Sequence, residues 1–169
     1  SDRVQVSKFM RHPNVDLVLA TGGSTLVEAA YSSGNPAYGV GPGNVPALIY
    51  SDADLLQAAK NIVLSKSYDN GIICGSESNL LVAEAISAEF VTSLENNKAA
   101  VLSAGEKKKA LDSWFKDGVL SREVIGKHAG VLAKMAGIKR DYEIQVFVNP
   151  VCKQEEHWLC KEKLAPVLS

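Results

Sequence analysis

The chain has 169 residues, 46% of them hydrophobic and 22% charged, with a formal net charge of −1 at pH 7. These values fit one globular domain with a real core, and they predict neither nucleic acid nor an anionic membrane as a partner. No apolar run approaches the roughly 18 residues of a membrane span. The cysteines Cys74, Cys152 and Cys160 show no zinc-ligand spacing, and residues 1–4 lack a signal-peptide pattern. We therefore expect a reducing cytoplasm and no metal.

The first part of the chain alternates between helix and strand around a glycine turn. Hydrophobic patterning predicts an amphipathic helix over residues 2–11, a buried strand over 16–20 and a helix over 26–32. The turn at residues 21–23 lies between that strand and the second helix. This order is typical of turns that bind nucleotides, but such a turn can also serve only to connect two elements.

The elements predicted after residue 36 continue this alternation. Ser51 or Asp52 can cap the first helix of this part, and Ser103 and Glu106 have the spacing of a capping box. Gly137 suits the end of the last helix. The strands are predicted at 37–40, 45–50, 79–83, 99–102 and 142–148, and the helices at 53–64, 86–94, 104–115 and 122–135. This pattern predicts an α/β fold, a three-layer sandwich around a mainly parallel sheet.

One short polar stretch places a cysteine between two glycines. Gly71 and Gly75 allow sharp backbone turns and close approach by another molecule, and Asp69 with Asn70 favours a turn before the cysteine. A thiol displayed in this way can act as a nucleophile beside unpaired backbone N–H groups. Free cysteines are commonly buried, so the residue types alone favour a core cysteine at Cys74.

Four stretches, in order along the chain, resemble CoA-acylating aldehyde dehydrogenases, including the aldehyde dehydrogenase half of bifunctional aldehyde-alcohol dehydrogenases. They are residues 17–24 (LVLATGGS), 39–46 (GVGPGNVP), 65–77 (SKSYDNGIICGSE) and 161–168 (KEKLAPVL). The resemblance spans essentially the whole chain. It implies the reversible, NAD(P)-dependent oxidation of a short aldehyde to an acyl-CoA, with the aldehyde and CoA as small-molecule partners and a homo-oligomeric parent protein.

The resemblance also implies roles for individual residues. Cys74 is the expected nucleophile, which forms first a thiohemiacetal and then a thioester whose acyl group passes to CoA. Thr21, Gly22 and Gly23 are expected near the nicotinamide end of the cofactor. Glu162 is expected to accept hydrogen bonds from the nicotinamide ribose, although the residue types alone favour a surface carboxylate in a Lys-Glu-Lys run.

Val40 distinguishes two branches of the superfamily. Hydrolytic aldehyde dehydrogenases resemble the loop at 39–46 but carry a water-activating glutamate at the position that Pro46, used as an anchor, assigns to Val40. Valine cannot accept a proton, and no glutamate lies between Gly34 and Ser51. The resemblance therefore implies transfer to CoA. The alternatives are a hydrolytic aldehyde or semialdehyde dehydrogenase and a non-catalytic scaffold relative.

The resemblance assigns residues 1–36 to the end of a nucleotide-binding domain and residues 37–169 to an incomplete catalytic domain. We therefore expect a piece of a larger chain, consistent with a first residue other than Met. Cys152 and Cys160 match no catalytic position and are expected to be structural. None of the three histidines shows a partner pattern, so none is predicted to be catalytic: His12, His128 and His157.

Overall fold

The computed structural model describes residues 2–151 and 154–169, the side chains of 154–156 excepted. The chain divides into two compact units, Ser1–Gly43 and Asn44–Ser169. The division lies a few residues after the boundary expected at residue 36. The expectation of a structural role for Cys152 falls outside the described residues. None of the helices within the described ranges combines the length and apolar character needed to cross a bilayer.

The first unit is a pair of parallel strands packed against helices. Its elements are α1 (Arg3–Met10), β1 (Val18–Thr21), α2 (Ser24–Tyr31) and β2 (Ala37–Val40). Asp2 caps α1, because its carboxylate accepts a hydrogen bond from the Val4 N–H at 3.0 Å. One face of the strand pair contributes to a small core, whereas Leu19 and Tyr38, which are paired on the other face, are 74% and 69% exposed.

The second unit is built on parallel strands. In chain order its elements are β3 (Val45–Ile49), α3 (Leu55–Ser67), β4 (Glu77–Val82), α4 (Ser87–Asn96), β5 (Ala99–Val101), α5 (Ala104–Trp114), β6 (Phe115–Lys116), β7 (Val119–Leu120), α6 (Ala129–Ala136), β8 (Val146–Val148) and β9 (Val167–Leu168). Parallel ladders join β3 to β4, β5 to β8 and β8 to β9. Ser169 links β4 to β9, because it accepts from the Leu80 N–H at 2.7 Å and donates to the Ser78 carbonyl at 3.1 Å. The resulting strand order is β3-β4-β9-β8-β5.

Helices cover both faces of this sheet. Successive side chains along a strand point to opposite faces, so Phe147 packs beside Trp114 in the core under α5 and α6, with ring centroids 4.8 Å apart. Its neighbours Val146 and Val148 join Phe90 in the core under α3 and α4. The predicted three-layer α/β sandwich with a mainly parallel sheet is thereby confirmed.

Helix termini show one wrong and two confirmed predictions. The cap of α3 is neither Ser51 nor Asp52. The helix begins at Leu55, and the Asp54 carboxylate accepts from the Gln57 N–H at 3.0 Å. The capping box of Ser103 and Glu106 is present at α5. Gly137 ends α6 with a φ of 63°, a left-handed conformation that glycine adopts without strain.

Three further elements near the end of the chain differ from prediction. The strand predicted at 142–148 is confined to β8, because its ladder begins only where the Gln145 N–H meets the Lys98 carbonyl. The helix predicted at 122–135 begins only at Ala129, because Gly126 has a φ of 66° and its N–H bonds to the Leu164 carbonyl. The hairpin of β6 and β7, unanticipated from the sequence, turns at Asp117 and Gly118, both with positive φ.

Candidate active site

The loop between α3 and β4 has an unusual backbone. Asp69, Asn70 and Gly71 have successive φ values of 47°, 55° and 68°, a conformation that Asp and Asn tolerate and glycine adopts freely. A Cβ added at Gly71 would lie 2.5 Å from the Ala165 carbonyl oxygen and 2.9 Å from that of Lys66. Glycine therefore allows this loop to pack directly on the backbone of the 161–168 stretch.

Cys74 is a free, exposed cysteine at the tip of this loop. The turn around it is closed by the Ile73 carbonyl, which accepts from the Ser76 N–H at 3.1 Å and from the Ser76 hydroxyl at 2.8 Å. This turn leads into β4, which begins at Glu77. The thiol is therefore available to another molecule, and the alternative of a buried core cysteine is wrong.

Glu162 lies in the stretch that contacts this loop. It borders a cavity of about 180 Å³ whose other walls include Phe115, Trp158 and Leu164. The Phe115 and Trp158 rings meet edge to face at 5.1 Å between centroids. The Gly71–Ala165 contact therefore brings the chain segments of Cys74 and Glu162 together within the second unit.

Two lysines are buried beneath these segments. Lys66, at the end of α3, has no exposed surface, and its Nζ donates to the Lys163 carbonyl at 2.8 Å. Lys163 is 2% exposed, and its own Nζ donates to the carbonyls of Leu159 at 2.5 Å and Lys161 at 2.9 Å. Lysine is almost never fully buried unless it is paired, so two such residues together mark an unusual environment.

Burial dominates the electrostatics of this pair. It lowers the pKa of Lys66 to about 8, although the negative charges of Glu77 and Glu162 act in the opposite direction. Burial, and then the positive charge of Lys66, lowers the pKa of Lys163 to about 7, while Cys160 opposes the shift. Removing the ammonium groups from water disfavours their charged form, so both lysines have pKa values within reach of physiological pH.

The glycine turn of the first unit is confirmed as a strand–turn–helix junction. Thr21 ends β1, the Gly22 N–H donates to the Val40 carbonyl at 3.0 Å, and Gly23 is the N-cap of α2. A Cβ added at Gly23 would meet nothing within 4 Å. The backbone at the start of α2 is thus open to a ligand, and Val40, at the end of β2, is 59% exposed.

The remaining candidates have local structural contacts. The Cys160 thiol is exposed, and its carbonyl accepts from the side-chain amides of Asn44 at 2.8 Å and Asn79 at 2.9 Å. His12 and His128 each accept a hydrogen bond at Nδ1 from a backbone N–H two residues further on. These contacts are of the kind that shape turns and caps.

The buried lysines are the feature that the sequence analysis missed. Lys66 and Lys163 lie inside two of the quoted stretches but read there as ordinary surface charges. A signal was present for Lys66, because Ala59, Ile62 and Val63 define the buried face of α3 and Lys66 continues their helical spacing. No comparable periodicity marks Lys163.

A model of the aldehyde dehydrogenase family matches residues 1–114. The chain is 41% identical over 167 residues to an aldehyde-alcohol dehydrogenase of Clostridium acetobutylicum, covering 98% of this chain and 19% of that protein. It is 40% identical over 157 residues to an acetylating succinate-semialdehyde dehydrogenase of Clostridium kluyveri, covering 92% of this chain and 35% of that protein. The chain thus spans between about a fifth and a third of these curated relatives.

Solved structures show the same likeness. An acetylating aldehyde dehydrogenase from Geobacillus thermoglucosidasius superimposes with a TM-score of 0.91 and 40% identity, covering 99% of this chain and 37% of that one. A propionaldehyde dehydrogenase from Rhodopseudomonas palustris with bound propionyl-CoA gives a TM-score of 0.89 and 28% identity, with the same coverage.

Proposed function

The chain belongs to the aldehyde dehydrogenase family, and on that premise we propose that it supplies the cysteine-bearing part of an acylating aldehyde dehydrogenase. The reaction is the reversible oxidation of a short aldehyde by NAD(P), with transfer of the acyl group to CoA. The observation that carries the proposal is the exposed Cys74, held on a loop that packs against the segment of Glu162. The acetylating relatives support the choice of CoA as acceptor.

The chemistry assigned to Cys74 divides the oxidation into two steps. Its thiolate sulfur adds to the aldehyde carbon, and the carbonyl oxygen takes the electron pair and becomes the oxygen of a thiohemiacetal. Bound NAD(P) supplies the acceptor for the hydride that this carbon loses, which leaves a thioester on Cys74. The thiolate of CoA then attacks the thioester carbon, and Cys74 leaves as a thiolate, ready for another aldehyde.

The residues that the resemblance assigns to the cofactor lie in both units, and each set has features that support the assignment. In the first unit, Thr21, Gly22 and Gly23 form an open turn at the N-terminus of α2, where backbone N–H groups favour polar and anionic ligand atoms. In the second unit, Glu162 borders a cavity, and a carboxylate can accept hydrogen bonds from two ribose hydroxyls. We assign residues 1–36 to the end of a nucleotide-binding domain and 37–169 to the catalytic domain.

The acyl acceptor follows from the residue at position 40. A valine cannot deprotonate water, and general-base assistance is typically worth about 10²–10⁴ in rate. A thiol needs less assistance, because a fraction of it is already ionised near neutral pH. CoA should therefore react with the thioester faster than water does. The parent enzyme is proposed to be a cytoplasmic homo-oligomer whose partners are the aldehyde, NAD(P) and CoA.

The test is the dependence of NADH formation on CoA. Given a short aldehyde and NAD, the full-length protein should release a burst of about one NADH per active site, because the thioester accumulates. Sustained turnover should begin when CoA is added, with acyl-CoA as the product. Val40→Glu should raise the CoA-independent rate, whereas Val4→Glu, a control at an exposed position in the same unit, should not. Steady release of NADH and free acid by the unmutated protein without CoA would overturn the proposal in favour of the hydrolytic alternative.

A further inference from the structure

Lys66 occupies a position where an apolar residue would be expected. It follows Ile62 and Val63 on the buried face of α3 and has no exposed surface. Taking a lysine ammonium out of water is costly unless other groups bind it. A methionine could fill similar space without that cost. The role of the lysine must therefore lie in the groups that its ammonium contacts.

The Lys66 ammonium lies where three chain segments meet. Its firm hydrogen bond, at 2.8 Å, is to the carbonyl of Lys163, the residue directly after Glu162. A longer contact of 3.4 Å reaches the Ser76 hydroxyl. That hydroxyl donates to the Ile73 carbonyl at 2.8 Å, so the chain of contacts ends at the residue directly before Cys74.

The carboxylates near Lys66 belong to the same chain segments that its ammonium contacts. Burial disfavours the protonated form of Lys66, whereas the carboxylates of Glu77 and Glu162 favour it. The positive charge of Lys66 in turn helps to lower the pKa of Lys163. One oxygen of Glu77, Oε2, is buried and has no hydrogen-bond partner among the described residues. The ammonium therefore sits between two carboxylate-bearing segments, one that follows Cys74 and one that contains Glu162.

We propose that Lys66 is a positioning residue, which fixes the loop of Cys74 relative to the segment of Glu162 through its contacts with Ser76 and the Lys163 carbonyl. This inference rests on the proposed function. Hydride transfer requires the carbon on Cys74 and the nicotinamide ring to be aligned closely, and a displacement of about 1 Å can cost roughly 10²-fold in rate. Lys66 touches neither substrate nor cofactor in this assignment. It acts through the two segments that do.

The first test compares Lys66→Met with Lys60→Met, an exposed lysine on the same helix. In the full-length protein, Lys66→Met should slow the single-turnover burst of NADH by about 10- to 100-fold. A deuterated aldehyde should show a larger isotope effect in this variant, because hydride transfer becomes slower relative to the other steps. Alkylation of Cys74 by iodoacetamide should change less than about 3-fold, because thiol access does not depend on that alignment. Lys60→Met should match the unmutated protein in each measurement.

A merely structural role would lower the burst and the alkylation rate in proportion and leave the isotope effect unchanged, and that result would overturn the proposal. An unchanged burst rate in Lys66→Met would overturn it too. The variant Cys74→Ala distinguishes a failure of the proposed function from a failure of the role proposed for Lys66. If that variant retains the burst, the proposed function is wrong. If it abolishes the burst while Lys66→Met behaves like the unmutated protein, only the role of Lys66 is wrong.

A second variant keeps the test decisive if Lys66→Met folds poorly. Ser76→Ala removes one hydroxyl from the contact chain and should slow the burst by about 3- to 10-fold, in line with the loss of one modest hydrogen bond. Because residues in one network act together, the double variant should be no slower than Lys66→Met alone. Independent, multiplicative effects of the two substitutions, or a normal burst in Ser76→Ala, would contradict the proposed link.

Discussion

The second unit contains two clusters of charged side chains, one partly exposed and one buried. In one, Nη1 and Nη2 of Arg140 donate to the two oxygens of the Glu106 carboxylate, at 2.6 and 3.2 Å. The same carboxylate accepts from the Ser103 N–H and hydroxyl, each at 3.0 Å, at the start of α5. In the other cluster, the ammonium groups of Lys66 and Lys163 donate to backbone carbonyls beneath the Cys74 loop.

Both clusters lower a pKa, but the two shifts have opposite consequences for the charged form of the group and for stability at neutral pH. The hydrogen bond from Arg140 is the main reason that the pKa of Glu106 falls to about 2, which favours its charged form. Burial lowers the pKa of Lys66 to about 8, which disfavours its charged form. The first arrangement stabilises the fold, whereas the second costs stability at neutral pH. Groups perturbed by burial are characteristic of functional sites, and the costly cluster is the one beside Cys74.

The largest expected effect concerns the pH dependence of stability at Lys66. Its pKa is lower in the folded state, so the unfolded chain binds more protons between pH 8 and 10.5, and folding becomes more favourable as pH rises through that window. The shift from 10.5 to about 8 corresponds to roughly 3 kcal/mol. The unmutated full-length protein should therefore gain about that much free energy of unfolding relative to Lys66→Met between pH 7 and pH 10.5.

Urea titrations of both proteins at the two pH values measure this difference. Lys60→Met is again the matched control, because the side chain of Lys60 is exposed and should show no such pH-dependent difference. Parallel responses of the unmutated protein and Lys66→Met would mean that Lys66 is not held in an environment that disfavours its charge, and the contrast between the two clusters would disappear.

A smaller effect is expected at Glu106, whose charge stabilises the fold at neutral pH, whereas the charge of Lys66 costs stability there. The folded-state pKa is below the ordinary 4.5, so the carboxylate contributes stability that is fully present above pH 4.5 and is lost as pH falls through about 2. Glu106→Gln should lower the free energy of unfolding by about 1.5–3 kcal/mol at pH 7, the usual range for hydrogen bonds to charged groups. The gap should close towards pH 2.

Glu123→Gln, at an exposed carboxylate in the same unit, provides the control and should lie within about 0.5 kcal/mol of the unmutated protein at every pH. If Glu106→Gln instead leaves stability unchanged at pH 7, the paired cluster does not stabilise the fold. The two clusters would then differ in their hydrogen-bond geometry but not in their contribution to stability.

The sequence predicted the layers of the fold because those signals are local. Short apolar runs indicated most of the strands, and the capping box at Ser103 and the glycine stop at Gly137 marked two helix ends correctly. The errors arose where a contact between residues far apart in sequence determines where an element begins or ends. The Gly126 N–H bonds to the Leu164 carbonyl and so delays α6, and no local pattern encodes a partner that far along the chain.

The candidate site was only partly predictable for the same reason. The glycines around Cys74 were compatible with a displayed thiol, but the residue types alone favoured a core cysteine. The resemblance to a family singled it out as a nucleophile. Gly71 could be recognised as a turn residue, but its close approach to Ala165 depends on a contact across the unit. The burial of Lys163 likewise follows from packing, because its neighbours in sequence give it no apolar periodicity.

The most direct test of the central claim is the identity of the acylated residue. The full-length protein, incubated with propionaldehyde and NAD without CoA, should carry a propionyl adduct on the peptide that contains Cys74. Added CoA should remove the adduct and yield an equal amount of propionyl-CoA, and Cys160→Ser should behave like the unmutated protein. An adduct that persists in Cys74→Ala, or that lies on the peptide of Cys160 instead, would contradict the account.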